Sequence, residues 1–205
     1  MQLRSLAYRT DLLFARFDGE VCDRGPYLVV SSPRNPTFHW GNFLLFAQPP
    51  GPADGDPWIE AFRRELGSRP SIRHVALGWD GSVDPSAETA PFVNRGFDAQ
   101  VSVVYVATTR STPPRMNQEV AVRPLATDAE WEGATLLQIA LREPSYSLEA
   151  YAPFKRAQMA RYRAMVKAGL GHLYGAFLGT EQVANLGLFT TQSASLSHVR
   201  ESPPW

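Results

Sequence analysis

Apolar runs and their spacing divide the chain before any chemistry is considered. Tyr27-Leu28-Val29-Val30 predicts a strand ended by the proline pair Pro33 and Pro36, and Gly41 to Phe46 predicts a second, closed by Pro49-Pro50-Gly51-Pro52. Trp58, Phe62 and Leu66 recur at helical spacing. A helix is therefore expected over residues 57–66, with Asp56 as its cap and Pro57 in the first turn, where a missing N–H costs little. Residues 74–78 read as a strand and 89–94 as a short helix stopped by Gly96. Residues 101–106, rich in β-branched side chains, read as a closing strand.

A polar, proline-closed stretch, Thr108-Thr109-Arg110-Ser111-Thr112-Pro113-Pro114-Arg115, then interrupts the pattern. It suggests one unit over residues 1–110, a linker at 111–117 and a second unit over 118–205. The second unit opens on a strand, Val120-Ala121-Val122-Arg123. Thr127-Asp128-Ala129-Glu130 follows as a capping box for a helix over 127–142. A second helix is expected over 148–168, with Tyr151, Phe154, Tyr162, Met165 and Val166 on its apolar stripe and Gly169 and Gly171 past its end. Residues 172–178 and 183–189 form a hairpin around Gly179-Thr180-Glu181-Gln182, and a short run over 196–200 completes the order strand, helix, helix, three strands. The fold class is α+β, with a mixed, mostly antiparallel central sheet flanked by helices.

Composition narrows the class of protein. The chain has 205 residues, 44% hydrophobic and 20% charged, with 20 Lys+Arg against 20 Asp+Glu, which describes a folded domain and not a disordered one. Basic and acidic side chains balance in both halves, so neither half has the excess that drives phosphate-backbone binding, and nucleic acid is not an expected partner. No run approaches a membrane span, and residues 1–11 lack the apolar stretch of an export signal; the expected location is cytoplasmic. A lone Cys22 leaves core burial, not disulfides, to hold the fold. Four single, scattered histidines (His39, His74, His172, His198) give no metal-ligand spacing, and no metal is expected. Phosphate-loop, dinucleotide, serine-hydrolase and zinc-protease signatures are absent from the sequence.

The strings Val120-Ala121-Val122-Arg123-Pro124-Leu125, Leu170-Gly171-His172-Leu173-Tyr174-Gly175-Ala176-Phe177, Val183-Ala184-Asn185-Leu186-Gly187-Leu188-Phe189 and His198-Val199-Arg200-Glu201, in this order of elements, resemble the front half of a GCN5-related N-acetyltransferase (GNAT) domain of bacterial type. The resemblance implies an acyl transfer from acetyl-CoA to a small-molecule amine. It also implies that the backbone of His198, Val199 and Arg200 holds the pantetheine arm. The chain ends where the family's pyrophosphate loop would begin, and Ser195-Leu196-Ser197 and Arg200-Glu201-Ser202 depart from the family's usual residues. The expectation is therefore an incomplete cofactor site, completed across a homodimer, or a non-catalytic, truncated GNAT-fold binding module.

Residues 41–106 resemble the back half of the same fold, with Ala90-Pro91-Phe92-Val93-Asn94-Arg95-Gly96-Phe97 similar to the family's second CoA-binding motif. Their loop, Gln48 to Asp56, has no basic residue and three prolines, so it makes a poor pyrophosphate cradle. The two half-domains are expected to assemble as one continuous sheet. Asn35-Pro36-Thr37-Phe38-His39-Trp40-Gly41-Asn42 also resembles a string of this subfamily. Phe38, Trp40 and Asn42 are its candidate substrate contacts, against the competing reading of a loop that buries its aromatics. Acyl transfer needs a deprotonated amine and a protonated leaving thiolate; Glu201 and Tyr105 are the candidate catalytic groups, neither matching a family motif position.

Overall fold

The computed structural model describes residues 1–81, 85–107, 109, 111–112, 114–190 and 197–201, with the backbone alone at 85–87 and 197–201. The chain is α+β and forms two compact units, Met1–Tyr105 and Val106–Trp205.

In the first unit, β1 (Glu20–Asp23), β2 (Tyr27–Ser31), β3 (Phe43–Phe46) and β4 (Leu77–Trp79) form a sheet in that order. The β1–β2 and β2–β3 pairs are antiparallel, and β3–β4 is parallel. A parallel pair needs a crossover, supplied by helix α2 (Gly55–Leu66). β2 and β3 are buried along their whole length, which explains their unbroken apolar runs. On one face Tyr27, Val29, Leu44 and Phe46 pack with Trp58, Ala61, Phe62 and Leu66 of α2. On the other, Leu28, Val30, Phe43 and Leu45 pack with Leu12 and Ala15 of α1 (Leu6–Asp18). The result is a sheet covered on both faces. Helix α3 (Pro85–Val93) follows β4 and begins earlier than the sequence pattern suggests.

In the second unit, β5 (Val120–Pro124), β6 (Gly171–Leu178), β7 (Glu181–Thr190) and β8 (Ser197–Glu201) form an antiparallel sheet in chain order. Helices α4 (Asp128–Ala140) and α5 (Leu148–Lys167) lie between β5 and β6 in the chain. The expected capping box starts α4: Thr127 Oγ1 accepts the Glu130 N–H, and Glu130 Oε2 accepts the Thr127 N–H at 3.0 Å. Leu173, Phe177 and Phe189 are buried with Trp131, Ile139, Met159, Tyr162 and Met165; the Tyr162 and Phe189 rings lie 5.4 Å apart. The β6–β7 hairpin turns at Gly179, whose φ of +61° suits the first position of a tight two-residue turn.

Three expectations are corrected. One continuous sheet across the two halves is not found: the described strands make two sheets, each closed over apolar residues of its own unit. Residues 101–106 are not a strand; their β-branched pattern finds no ladder partner among the described residues, and propensity without pairing does not make a sheet. Asp56 does not cap α2. The helix begins two residues earlier than expected, at Gly55, and the Asp56 carboxylate bonds Arg95 instead.

Candidate functional site

The strand on which the acyl-CoA expectation rests is β8. Its ladder sets His198 against Phe189, Val199 against Leu188, Arg200 against Gly187 and Glu201 against Leu186. Among the described strands β8 pairs with β7 alone and forms the sheet edge. Half of its backbone N–H and C=O groups point into the ladder; the other half point outward from that edge, the arrangement an extended amide-bearing ligand can extend. Glu201 is the last residue of β8.

β7 is held from behind by a polar contact that sequence reading does not reveal. Gln138 of α4 donates from Nε2 to Asn185 Oδ1 at 2.7 Å, both side chains buried. Their types gave no signal, because a buried amide pair is defined only once helix and strand are docked. Between α4 and α5, an open groove of about 190 Å³ is lined by Trp131, Thr135, Met159 and Ala160. Its rim carries two ion pairs, Arg156 with Glu132 and Arg163 with Asp128, so each guanidinium there already has a carboxylate.

In the first unit the carboxyl end of the parallel pair is where an α/β sheet ordinarily opens a ligand crevice. Here it is closed. The Asp80 N–H donates to Phe46 O at 2.9 Å, continuing the β3–β4 contact past the strand ends. The Phe46 and Trp58 rings stack at 3.6 Å, with Phe92 at 5.6 Å and Trp79 at 6.2 Å from Trp58. Trp79 Nε1 donates to the buried Glu88 carboxylate at 2.8 Å. The loop before α2 is satisfied internally as well: Gly51 N–H donates to Asp54 Oδ2 at 2.7 Å, and Arg95 spans Asp56 and the carbonyl of Pro91. Gly55 belongs to this arrangement, since a Cβ there would stand 2.8 Å from the Arg95 guanidinium. Asp54 and Asp56 thus take up donors of this loop and its neighbour Arg95, and the lowered pKa of Asp56 follows from its hydrogen bond to Arg95.

No family model matches this chain, and no curated protein matches it. The chain is similar in fold to the crystal structure of a functionally unknown conserved protein from Staphylococcus epidermidis ATCC 12228. The TM-score is 0.58, with 11% sequence identity, over 90% of this chain and 71% of that one. The likeness is one of fold and spans both units.

The aromatic loop forms between β2 and β3. Asn42 is fully buried, and its carboxamide is committed within the loop: Oδ1 accepts the Ser32 N–H at 3.0 Å, and Nδ2 lies within bonding distance of the carbonyls of Asn35, Pro36 and Phe38. Phe38 is half-buried against Gly41, where a Cβ would meet its ring at 2.5 Å. Trp40 stays 43% exposed, edge-on to Phe43 with centroids 5.5 Å apart. Of the three candidate substrate contacts, Trp40 alone presents substantial free surface. The loop also packs His39 against His74, with tilted rings and centroids 4.2 Å apart, and His74 Nε2 lies 3.1 Å from Asn42 O. Partial burial lowers the pKa of both imidazoles. Tyr105 closes the first unit with its side chain 91% exposed. Among the described residues no group of three or more His, Cys, Asp or Glu could hold a metal ion, and no helix is long and apolar enough to cross a membrane.

Proposed function

We propose that the chain is an acyl-CoA-dependent N-acetyltransferase of the GNAT type, with the acyl-CoA strand in the second unit and a first unit that keeps the fold without an open cofactor crevice. The observation that carries this reading is β8. An antiparallel sheet in chain order β5-β6-β7-β8, with two helices between β5 and β6, ends on an edge whose outward backbone groups can bond the amides of a pantetheine arm. The strand fits the arm; a diphosphate cradle is not assigned among the described residues. When bound, acetyl-CoA supplies the activated acyl group as a thioester. On the protein side, His198, Val199 and Arg200 would align the arm by their backbone, and Glu201 at the strand end is the candidate to accept a proton from the incoming amine.

A second reading, a non-catalytic module binding a ligand or protein, is favoured by the closed carboxyl end of β3 and β4. The two readings part on one experiment. Acetyl-CoA is titrated calorimetrically into the full chain, with thermal unfolding followed in the same buffer and thiol release followed with a panel of small amines. Saturable heat and a raised unfolding midpoint support the transferase reading. No heat and no shift at millimolar acetyl-CoA overturn it and leave the binding module.

A further inference from the structure

We propose that His39 and His74 form an acid-released latch on the Trp40 turn: as neutral rings they hold the turn against the first unit, and when both are protonated their repulsion frees it. This does not depend on the acyl-CoA reading. The turn is a single 3-10 turn, His39–Gly41, between β2 and β3. His39 packs its ring on that of His74, in the segment before β4, with centroids 4.2 Å apart and planes tilted by 32°. His74 is anchored by two further contacts: its Nε2–H donates to Asn42 O at 3.1 Å, and Phe62 of α2 packs on it with ring centroids 6.1 Å apart. His39 is exposed and His74 half-buried, so His39 is the ring with room to leave.

Two imidazoles in contact accept one proton far more readily than two, because like charges this close and partly out of water repel. The charges that act on the pair are its own. Burial alone shifts His39; burial, the Asn42 bond and the His39 charge act on His74. Arg34 and Arg73, the nearest charged residues along the chain, are exposed and shift neither ring, and among the described residues no carboxylate does so either. Burial holds both pKa values below the ordinary 6.5, so the rings are neutral at pH 7 and gain their protons in mild acid. The Asn42 bond survives that step, since an imidazolium donates from both nitrogens; His74 therefore stays and His39 yields. His39 carries the next residue with it. The Trp40 ring meets Phe43 edge-on at 5.5 Å, and that contact is the one a displaced turn gives up. The release stops at the turn, because the Asn42 carboxamide keeps its bonds to the Ser32 N–H and to the carbonyls of Asn35, Pro36 and Phe38. In acid the loop thus presents Trp40, its candidate ligand contact with free surface, in a second position.

The indole N–H resonances of the full chain, followed by NMR from pH 7 to about pH 5, test the proposal, since a histidine held below its ordinary value gains its proton on that descent. Loss of one resonance in Trp40→Phe identifies that of Trp40. In the parent it should shift reversibly toward the position of a free indole as the Phe43 ring contact is lost. The resonance of Trp58, stacked on Phe46 at 3.6 Å, should stay in place, which separates a local release from unfolding. His39→Phe keeps a ring against His74 and cannot be charged, and His39→Gln leaves a single imidazole. In both variants Trp40 should keep one position across the same pH range. A Trp40 resonance that does not shift in the parent, that shifts as far in His39→Phe and His39→Gln, or that shifts only together with Trp58 overturns the proposal.

Discussion

The Asp80 carboxylate accepts the Ser5 backbone N–H at 2.8 Å and the Arg4 N–H at 2.5 Å, so the residue just past β4 caps α1 at its N-cap Ser5, 75 positions earlier. Ser5 itself makes no side-chain cap bond. A helix start leaves its first N–H groups without partners, and a carboxylate there also meets the positive end of the helix dipole. Asp80 is 1% exposed, and Arg4 Nη2 returns a bond to its carbonyl. Asp80→Ala should therefore destabilise the first unit by about 2–3 kcal/mol, through lost caps and buried donors left unpaired. Asp80→Asn, which keeps one acceptor, should cost less. Urea unfolding of the two variants checks the order; an Asp80→Ala variant as stable as the parent would show that solvent replaces the cap.

That distant cap also accounts for what the sequence concealed. α1 escaped sequence analysis because its start signal lies on another element, and because Arg9, Asp11 and Arg16 fall among its apolar positions. α4 was legible for the opposite reason: its cap, Thr127 with Glu130, is contained in four consecutive residues. β2, β3, β6 and β7 were legible because their apolar pattern matches the faces they bury. Residues 101–106 have as strong a strand pattern, but pairing is a property of two segments, and a single sequence run specifies one of them. At the candidate site, the presence of a last strand near residues 196–200 was legible from the apolar pattern, while the cofactor role proposed for it rests on the family resemblance. The closure of the β3–β4 end did not, because it depends on Phe46, Trp58, Trp79 and Phe92 meeting from four elements.

Asn42 separates a loop-building residue from a ligand-binding one. Its Oδ1 takes one N–H, and its Nδ2 is surrounded by three carbonyls, all within residues 32–42. Asn42→Ala should cost about 2–4 kcal/mol, because buried groups lose their partner together. Asn42→Asp should be no better, since a carboxylate cannot donate to those carbonyls. Thermal unfolding checks both. Full stability of Asn42→Ala would return the residue to the list of free substrate contacts.

The adjacent rings of His39 and His74 give a stability slope near neutral pH. Burial favours the neutral rings, so their folded pKa values lie below the ordinary 6.5. The unfolded chain then binds more protons than the folded one as pH falls through 6.5. Stability is complete above that value and declines below it until the folded rings titrate. His74→Asn should flatten the slope between pH 7 and 5, roughly the span of an exposed histidine's titration. Proton titration of the two rings by NMR, with melting curves across that range, checks the sign; ring pKa values above 6.5 would reverse it.

At lower pH the capping box of α4 should be the first charged element of the second unit to report. Glu130 is held from its ordinary 4.5 to about 2 by Arg123, with the Ala126 and Thr127 N–H groups adding to the effect. A depressed carboxylate contributes stability above its unfolded pKa and loses it as pH falls through the folded one, so the window runs from about 4.5 down to about 2. Arg123 also lies 4.1 Å over the Phe177 ring, so protonating Glu130 loosens β5 as well as the helix start. Glu130→Gln should remove the acid-dependent part of unfolding in that window while keeping an acceptor for the N–H groups. Thr127→Ala, which removes the other half of the box, should cost about 1 kcal/mol at every pH. Chemical denaturation at pH 7 and at pH 3 distinguishes the two. If Glu130→Gln shows the same acid sensitivity as the parent, the decline belongs to other carboxylates and not to this cap.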